Sequence, residues 1–170
     1  MDTILKGQFY NPTKGSLTLE GAMKEMVSYM QEKPDLAYEV IVGCDSSSSL
    51  EPTFPLVVVI LRKGEGGRFF LQRVKYPEGK KFHNLHDRIL QEVLLSCELA
   101  LFLRDNFGKI VAKEGNNLNY EFEYIHADIG EHGKTKDMIK EVTGLIRGNG
   151  FEPRIKPESF VASSVADRFA

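Results

Sequence analysis

"PLVVVIL", residues 55 to 61, is an unbroken apolar run rich in β-branched side chains. A strand sends alternate side chains to opposite faces, so a run with no polar member must be covered on both. The chain therefore needs a sheet held between two layers. "YEVIVGC" before the run reads as a first strand, and "RFFLQRVKY", beyond the turn "KGEGG", as a third, which makes a three-strand meander.

Helical periodicity supplies the layers. Leu19, Ala22, Met23, Met26, Val27 and Met30 fall on one stripe of a helix closed by Pro34. From Leu85 to Arg104 the stripe is Ile89, Val93, Cys97, Ala100 and Leu101, and the helix is expected to end near Asn106 and Gly108. "EFEYIHAD" alternates as a fourth strand, "GKTKDMIKEVTGLIRGNG" is a helix, "FEPRIKP" a short fifth strand and "ESFVASSVADRFA" a last helix. The order is a helix followed by β-β-β-α-β-α-β-α. Two antiparallel hairpins and two right-handed crossovers predict an α/β fold, a five-stranded mixed sheet of order 3-2-1-4-5 with helices on both faces. Residues 1–37 are expected as an N-terminal helical extension and 38–170 as one compact domain.

In such an open sheet the switch point lies between the first and fourth strands, and ligands bind at the carboxyl ends there. "VIVGCDSSSS" ends the first strand with Asp45 and four hydroxyls; "YIHADIGEHGKT" ends the fourth with Asp128. Each acid alone is explained by a turn or a cap. Together they repel unless a cation lies between them, and an oxygen-only set favours Mg²⁺ or Mn²⁺ over Zn²⁺. On the two covering helices, Glu92 lies four residues before Ser96 and Asp167 four after Ser163, so each acid belongs to a small polar stripe. A solvated helix face would account for either one taken separately.

Composition excludes some functions. The net charge of −2 rules out a polycation that coats nucleic acid, and no apolar run is long enough to span a membrane. Seven basic residues between Arg62 and Lys81 (Arg62, Lys63, Arg68, Arg73, Lys75, Lys80, Lys81) against Glu65 and Glu78 form either a phosphate-facing surface or a charged guard on a sheet edge. The N-terminus lacks a secretory h-region, and Cys44 and Cys97 sit in apolar segments, so a reducing, cytoplasmic setting is expected. Cys44 points away from Asp45 and reads as a small hydrophobe. No Ser-His-Asp set can be assembled.

Two further motifs compete. "DIGEHGKT" matches a phosphate loop except that Asp128 replaces the first glycine. "HNLHD" groups His83, His86 and Asp87 as a metal or acid-base site, or as a pre-helix turn with Asp87 at the helix start. His126, two residues before Asp128, is placed to share its face in a supporting role.

The element order, with acids on the first strand, first crossover helix, fourth strand and last helix, resembles the ribonuclease H fold of metal-dependent nucleases, integrases and junction resolvases. "GCDSSSS", "HADIGEHGKT" and "IKPESFVASSVADRF" are similar to the ribonuclease H-like YkuK family of bacterial proteins. The resemblance implies that Asp45, Glu92, Asp128 and Asp167 are catalytic and bind metal, with Glu98 and Asp87 as competitors for the role of Glu92. Two Mg²⁺ or Mn²⁺ ions, bridged by Asp45, would then flank a phosphodiester of RNA, DNA or a hybrid. Ser46, Ser47, Lys134, Lys156 and Arg168 become possible substrate contacts. The competing expectations are a non-catalytic nucleic-acid or protein-binding module and, more distantly, an ATP-binding half-domain of the actin-like type.

Overall fold

A computed structural model describes residues 2–114 and 117–170. A short helix α1 (Asp2–Lys6) leads into a hairpin of β1 (Phe9–Asn11) and β2 (Gly15–Leu17). Helix α2 (Leu19–Glu32) starts where the Thr18 hydroxyl accepts the Gly21 N–H at 3.0 Å, and it buries the stripe expected of it. Strands β3 (Ala37–Cys44), β4 (Phe54–Arg62) and β5 (Gly66–Val74) form the meander. Helix α3 (Leu85–Glu114), strand β6 (Asn119–His126), helix α4 (Ile139–Gly148) and strand β7 (Glu152–Arg154) follow.

One sheet of order β2-β1-β5-β4-β3-β6-β7 joins all of these strands. It has seven strands where the sequence predicts five, and its full order differs by the two that β1 and β2 add at the β5 edge. Those strands are too short to carry a period. Asn11 makes the hairpin instead: its Oδ1 accepts the Thr13 and Lys14 N–H groups at 2.9 Å, and its Nδ2 donates to the Phe69 carbonyl at 3.0 Å. The segment expected as a helical extension thus contributes strand as well as helix. β3 is antiparallel to β4 and parallel to β6, so it is central and its carboxyl end lies beside that of β6.

The two faces are covered unequally. One carries the larger core, where Val40, Val42 and Cys44 of β3 meet α2, α3 and α4. The other carries a small cluster of Ile41, Val57, Val59 and Leu71 under Val161 and Ala166. The expected last helix is a single π-helical turn (Val161–Ala166) running into a 3₁₀ turn (Asp167–Phe169). Helix α3 does not stop at Asn106 or Gly108. Leu103, Phe107 and Val111 continue its buried stripe, the Asn106 amide donates back to the Phe102 carbonyl at 2.8 Å, and Gly108 faces Tyr120.

The basic run divides. Arg62 is buried, donating to the Tyr29 carbonyl at 2.8 Å, the Tyr38 hydroxyl at 3.0 Å and Glu32 at 3.1 Å, so it serves the core and faces no phosphate. Lys63 pairs with Glu121, and Arg68 lies over the Tyr29 ring.

Candidate active site

Four elements bring their acids to one cleft of about 520 Å³ at the carboxyl ends of β3 and β6. Asp45 follows β3, its amide still bonded to the Pro55 carbonyl at 3.3 Å; Asp128 follows β6 by two residues; Glu92 comes from α3; Asp167 opens the terminal 3₁₀ turn. Ser46, Ser47 and Lys156 line the same cleft, whereas Lys134 and Arg168 are exposed outside it. Glu98 and Asp87 do not line it either.

Close packing makes this convergence possible. A Cβ on Gly43 would lie 2.8 Å from the Ala162 backbone nitrogen, so only a bare backbone lets the final segment approach β3 closely enough to set Asp167 beside Asp45. His126 fastens the same segment: its Nδ1 accepts the Val161 N–H at 3.1 Å, and its ring packs edge-on against Phe160. This imidazole is buried, its pKa lowered to about 4 by burial and by Arg154, and its Nε2 has no partner among the described residues. It therefore supports the site from beneath.

The carboxyl groups crowd one another. Asp45 is pushed up to about 7, first by burial, then by a hydrogen bond to Asp167 and the charge of Asp128, while the Ser46 amide pulls the other way. Burial also pushes Glu92 well above the usual carboxylate range; the Ser46 hydroxyl, donating to its Oε1 at 2.5 Å, and Arg88 oppose that shift. Asp128 is held by two partners. Its Oδ1 accepts from the Ser163 hydroxyl at 2.8 Å and pairs with the Lys156 ammonium at 3.2 Å. As arranged, no three His, Cys, Asp or Glu side chains among the described residues converge into a metal-binding group.

The Ribonuclease H-like family profile matches residues 21–170. The chain belongs to the ribonuclease H-like family. It is 31% identical over 169 residues to the uncharacterized protein YkuK of Bacillus subtilis (strain 168), with 95% of each chain covered. No solved structure matches.

For a ribonuclease H-like chain the other motifs take structural roles. The phosphate-loop resemblance fails locally: the Gly130 amide donates to Thr135 Oγ1 at 3.1 Å, and only a three-residue 3₁₀ turn (Lys136–Met138) follows before α4. In "HNLHD", the Asn84 side-chain Oδ1 accepts the Asp87 N–H at 2.8 Å to start α3, and His86 bonds Glu141 at 2.9 Å, which ties α3 to α4. Cys44 is buried on the face away from the final segment, with its thiol pushed up by burial and then by Glu92 and Asp45. The residue that sequence reasoning missed is Arg88. It lines the cleft and donates to the Ser47 carbonyl at 2.6 Å. Its place four residues before Glu92 on the same helix face was the available signal. No helix among the described residues is long and apolar enough to cross a membrane.

Proposed function

We propose that the protein is a metal-dependent nuclease that hydrolyses phosphodiester bonds in RNA, DNA or a hybrid, in a cytoplasmic setting. The observation that carries this reading is that Asp45, Glu92, Asp128 and Asp167, from separate elements, all line one open cleft with Arg88 and Lys156. The donors suit Mg²⁺ or Mn²⁺. They are all oxygens, and a cation would relieve the burial and crowding that push the Asp45 carboxyl up. Asp45 and Asp167 would hold the ion, with Asp128 and Glu92 as further donors. A bound divalent ion supplies Lewis-acid activation of water and neutralisation of phosphate charge.

The chain's own residues would do the rest. Arg88 holds the Ser47 carbonyl and so fixes the serine turn against the cleft, leaving Ser46 and Ser47 at the substrate's edge. Lys156 brings a cation to the same wall for phosphate oxygens. The test is the Asp45→Asn, Asp128→Asn double variant. It is expected to lose Mn²⁺-dependent cleavage of labelled RNA, DNA and hybrid duplexes while keeping its circular dichroism spectrum; undiminished cleavage would sink the proposal.

A second reading, a binding module without turnover, is favoured by one feature: Asp128 Oδ1 is already occupied by Lys156 and Ser163. It predicts no heat on titration with Mg²⁺ or Mn²⁺, whereas the nuclease predicts saturable binding.

A further inference from the structure

Lys156 enters the cleft by a built route. It leaves β7 by two residues, and its amide donates to the Ile129 carbonyl at 2.8 Å, which clips its backbone to the chain immediately after Asp128. Its aliphatic stem then lies across Gly130: a Cβ there would meet Lys156 Cβ at 3.2 Å and Cδ at 3.5 Å. The glycine leaves the shelf that aims the ammonium at Asp128, and the ion pair closes at 3.2 Å on the oxygen that Ser163 also holds. Ser163 is fixed in turn by Ser159, a buried hydroxyl 2.7 Å away. Asp128 is thus gripped from two sides by groups whose own positions are set by backbone.

We infer that Lys156 is a resident cation of the cleft, occupying the place of a second metal ion at Asp128 and leaving a single divalent ion to bind at Asp45 and Asp167. The inference rests on the proposed reading of the cleft as a cation site and sharpens its stoichiometry. A hard ion and an ammonium cannot both approach one carboxylate without strong mutual repulsion. Near Asp128 an incoming ion must therefore displace the lysine, while Asp45 and Asp167, which line the same cleft, form no ion pair among the described residues. Substrate phosphate would compete with Asp128 for the same ammonium, so Lys156 could serve both as counter-ion and as phosphate contact.

Calorimetric titration with Mn²⁺ in the absence of nucleic acid tests this without relying on activity. Wild type is expected to bind one ion. Lys156→Met, which keeps the stem and removes the charge, is expected to bind a second ion or to bind Mn²⁺ about tenfold more tightly. Lys156→Arg should stay close to wild type. Gly130→Ala, which pushes on the stem, should shift in the direction of Lys156→Met. Lys156 is exposed, so these variants should fold, and circular dichroism checks that they do. Equal stoichiometry and affinity in wild type and Lys156→Met would overturn the role of Lys156 while leaving the cation site standing. Absence of Mn²⁺ binding in both would overturn the inference and the nuclease reading together, and binding by Lys156→Met alone would overturn the single-ion site at Asp45 and Asp167.

Discussion

Asp45 holds a proton that an ordinary aspartate has lost well below neutral pH. Burial is the largest cause, the bond to Asp167 and the charge of Asp128 add to it, and the carboxyl titrates at about 7 against an ordinary value of 3.8. Its folded pKa is raised, so the native state binds more protons than the unfolded chain between those two values. The associated stability is fully present below about 3.8 and is lost as pH rises through about 7. Glu92, also raised by burial, contributes with the same sign. The metal-free protein should therefore melt at progressively lower temperature as pH is raised across that window, and Asp45→Asn should flatten much of the slope. Added Mn²⁺ should restore the melting temperature mainly at the high-pH end, where it no longer competes with the proton. Melting curves of both proteins with and without Mn²⁺ check this; an Asp45→Asn variant that keeps the full wild-type slope would place the titrating group elsewhere.

The segment after β7 shows what side-chain chemistry on a short element can and cannot reveal. The inner strands, α2 and the start of α3 were readable because their apolar periods run long enough to be unambiguous, and the strand-end acids Asp45 and Asp128 were readable because topology brings strand ends together. The β1–β2 hairpin was not, since strands of three residues carry no period and the bonds from Asn11 define the turn. Nor was the Lys156–Asp128 pair, which depends on a stem laid over Gly130 from another part of the chain. The final segment was expected as a regular helix, yet its π-helical turn packs against bare backbone at Gly43. A wider turn of this kind is uncommon and recurs near functional sites. Gly43→Ala tests how tightly that contact is built. Its Cβ would meet Ala162 N at 2.8 Å and the Val161 carbonyl carbon at 3.1 Å, both backbone atoms that cannot rotate aside. Overpacking of this sort is expected to cost about 1–3 kcal/mol in urea denaturation and to weaken Mn²⁺ binding by moving Asp167 off Asp45. A variant with wild-type stability and metal affinity would mean that the final segment is not what positions Asp167.

For the molecule as a whole, charge must be local to matter, because the net charge is only −2. Once Arg62, Lys63 and Arg68 are assigned to the core and to partners on the fold, the remaining cations of the basic run are Arg73, Lys75, Lys80 and Lys81. Arg73 lies over Phe169 of the final segment at 5.5 Å. Lys75 and Lys80 line a second hollow of about 290 Å³ with Tyr76 and Phe82. That hollow shares the 46–53 loop with the acidic cleft: Ser47 donates its amide to the Thr53 carbonyl at 3.3 Å, and the Phe82 amide donates to the Leu50 carbonyl at 2.8 Å. Lys75, Lys80 and Lys81 make no ion pair among the described residues. Lys80 lies over the Phe82 ring at 5.5 Å, and Glu51 and Glu78 line the same hollow; on the nuclease reading, a strand leaving the cleft along this loop would meet these lysines and rings. Each phosphate they neutralise should contribute about 0.7–0.9 to the dependence of log affinity on log salt. Lys75→Gln with Lys80→Gln should therefore weaken binding of a labelled oligonucleotide at low salt and flatten the salt dependence by about two such increments. Cleavage at saturating substrate should be unaffected, because neither lysine lines the acidic cleft. Fluorescence anisotropy across a salt series measures the slope. A double variant with the wild-type slope would show that the strand leaves the cleft by another side, and a loss of turnover at saturation would show that the lysines act on the acids themselves.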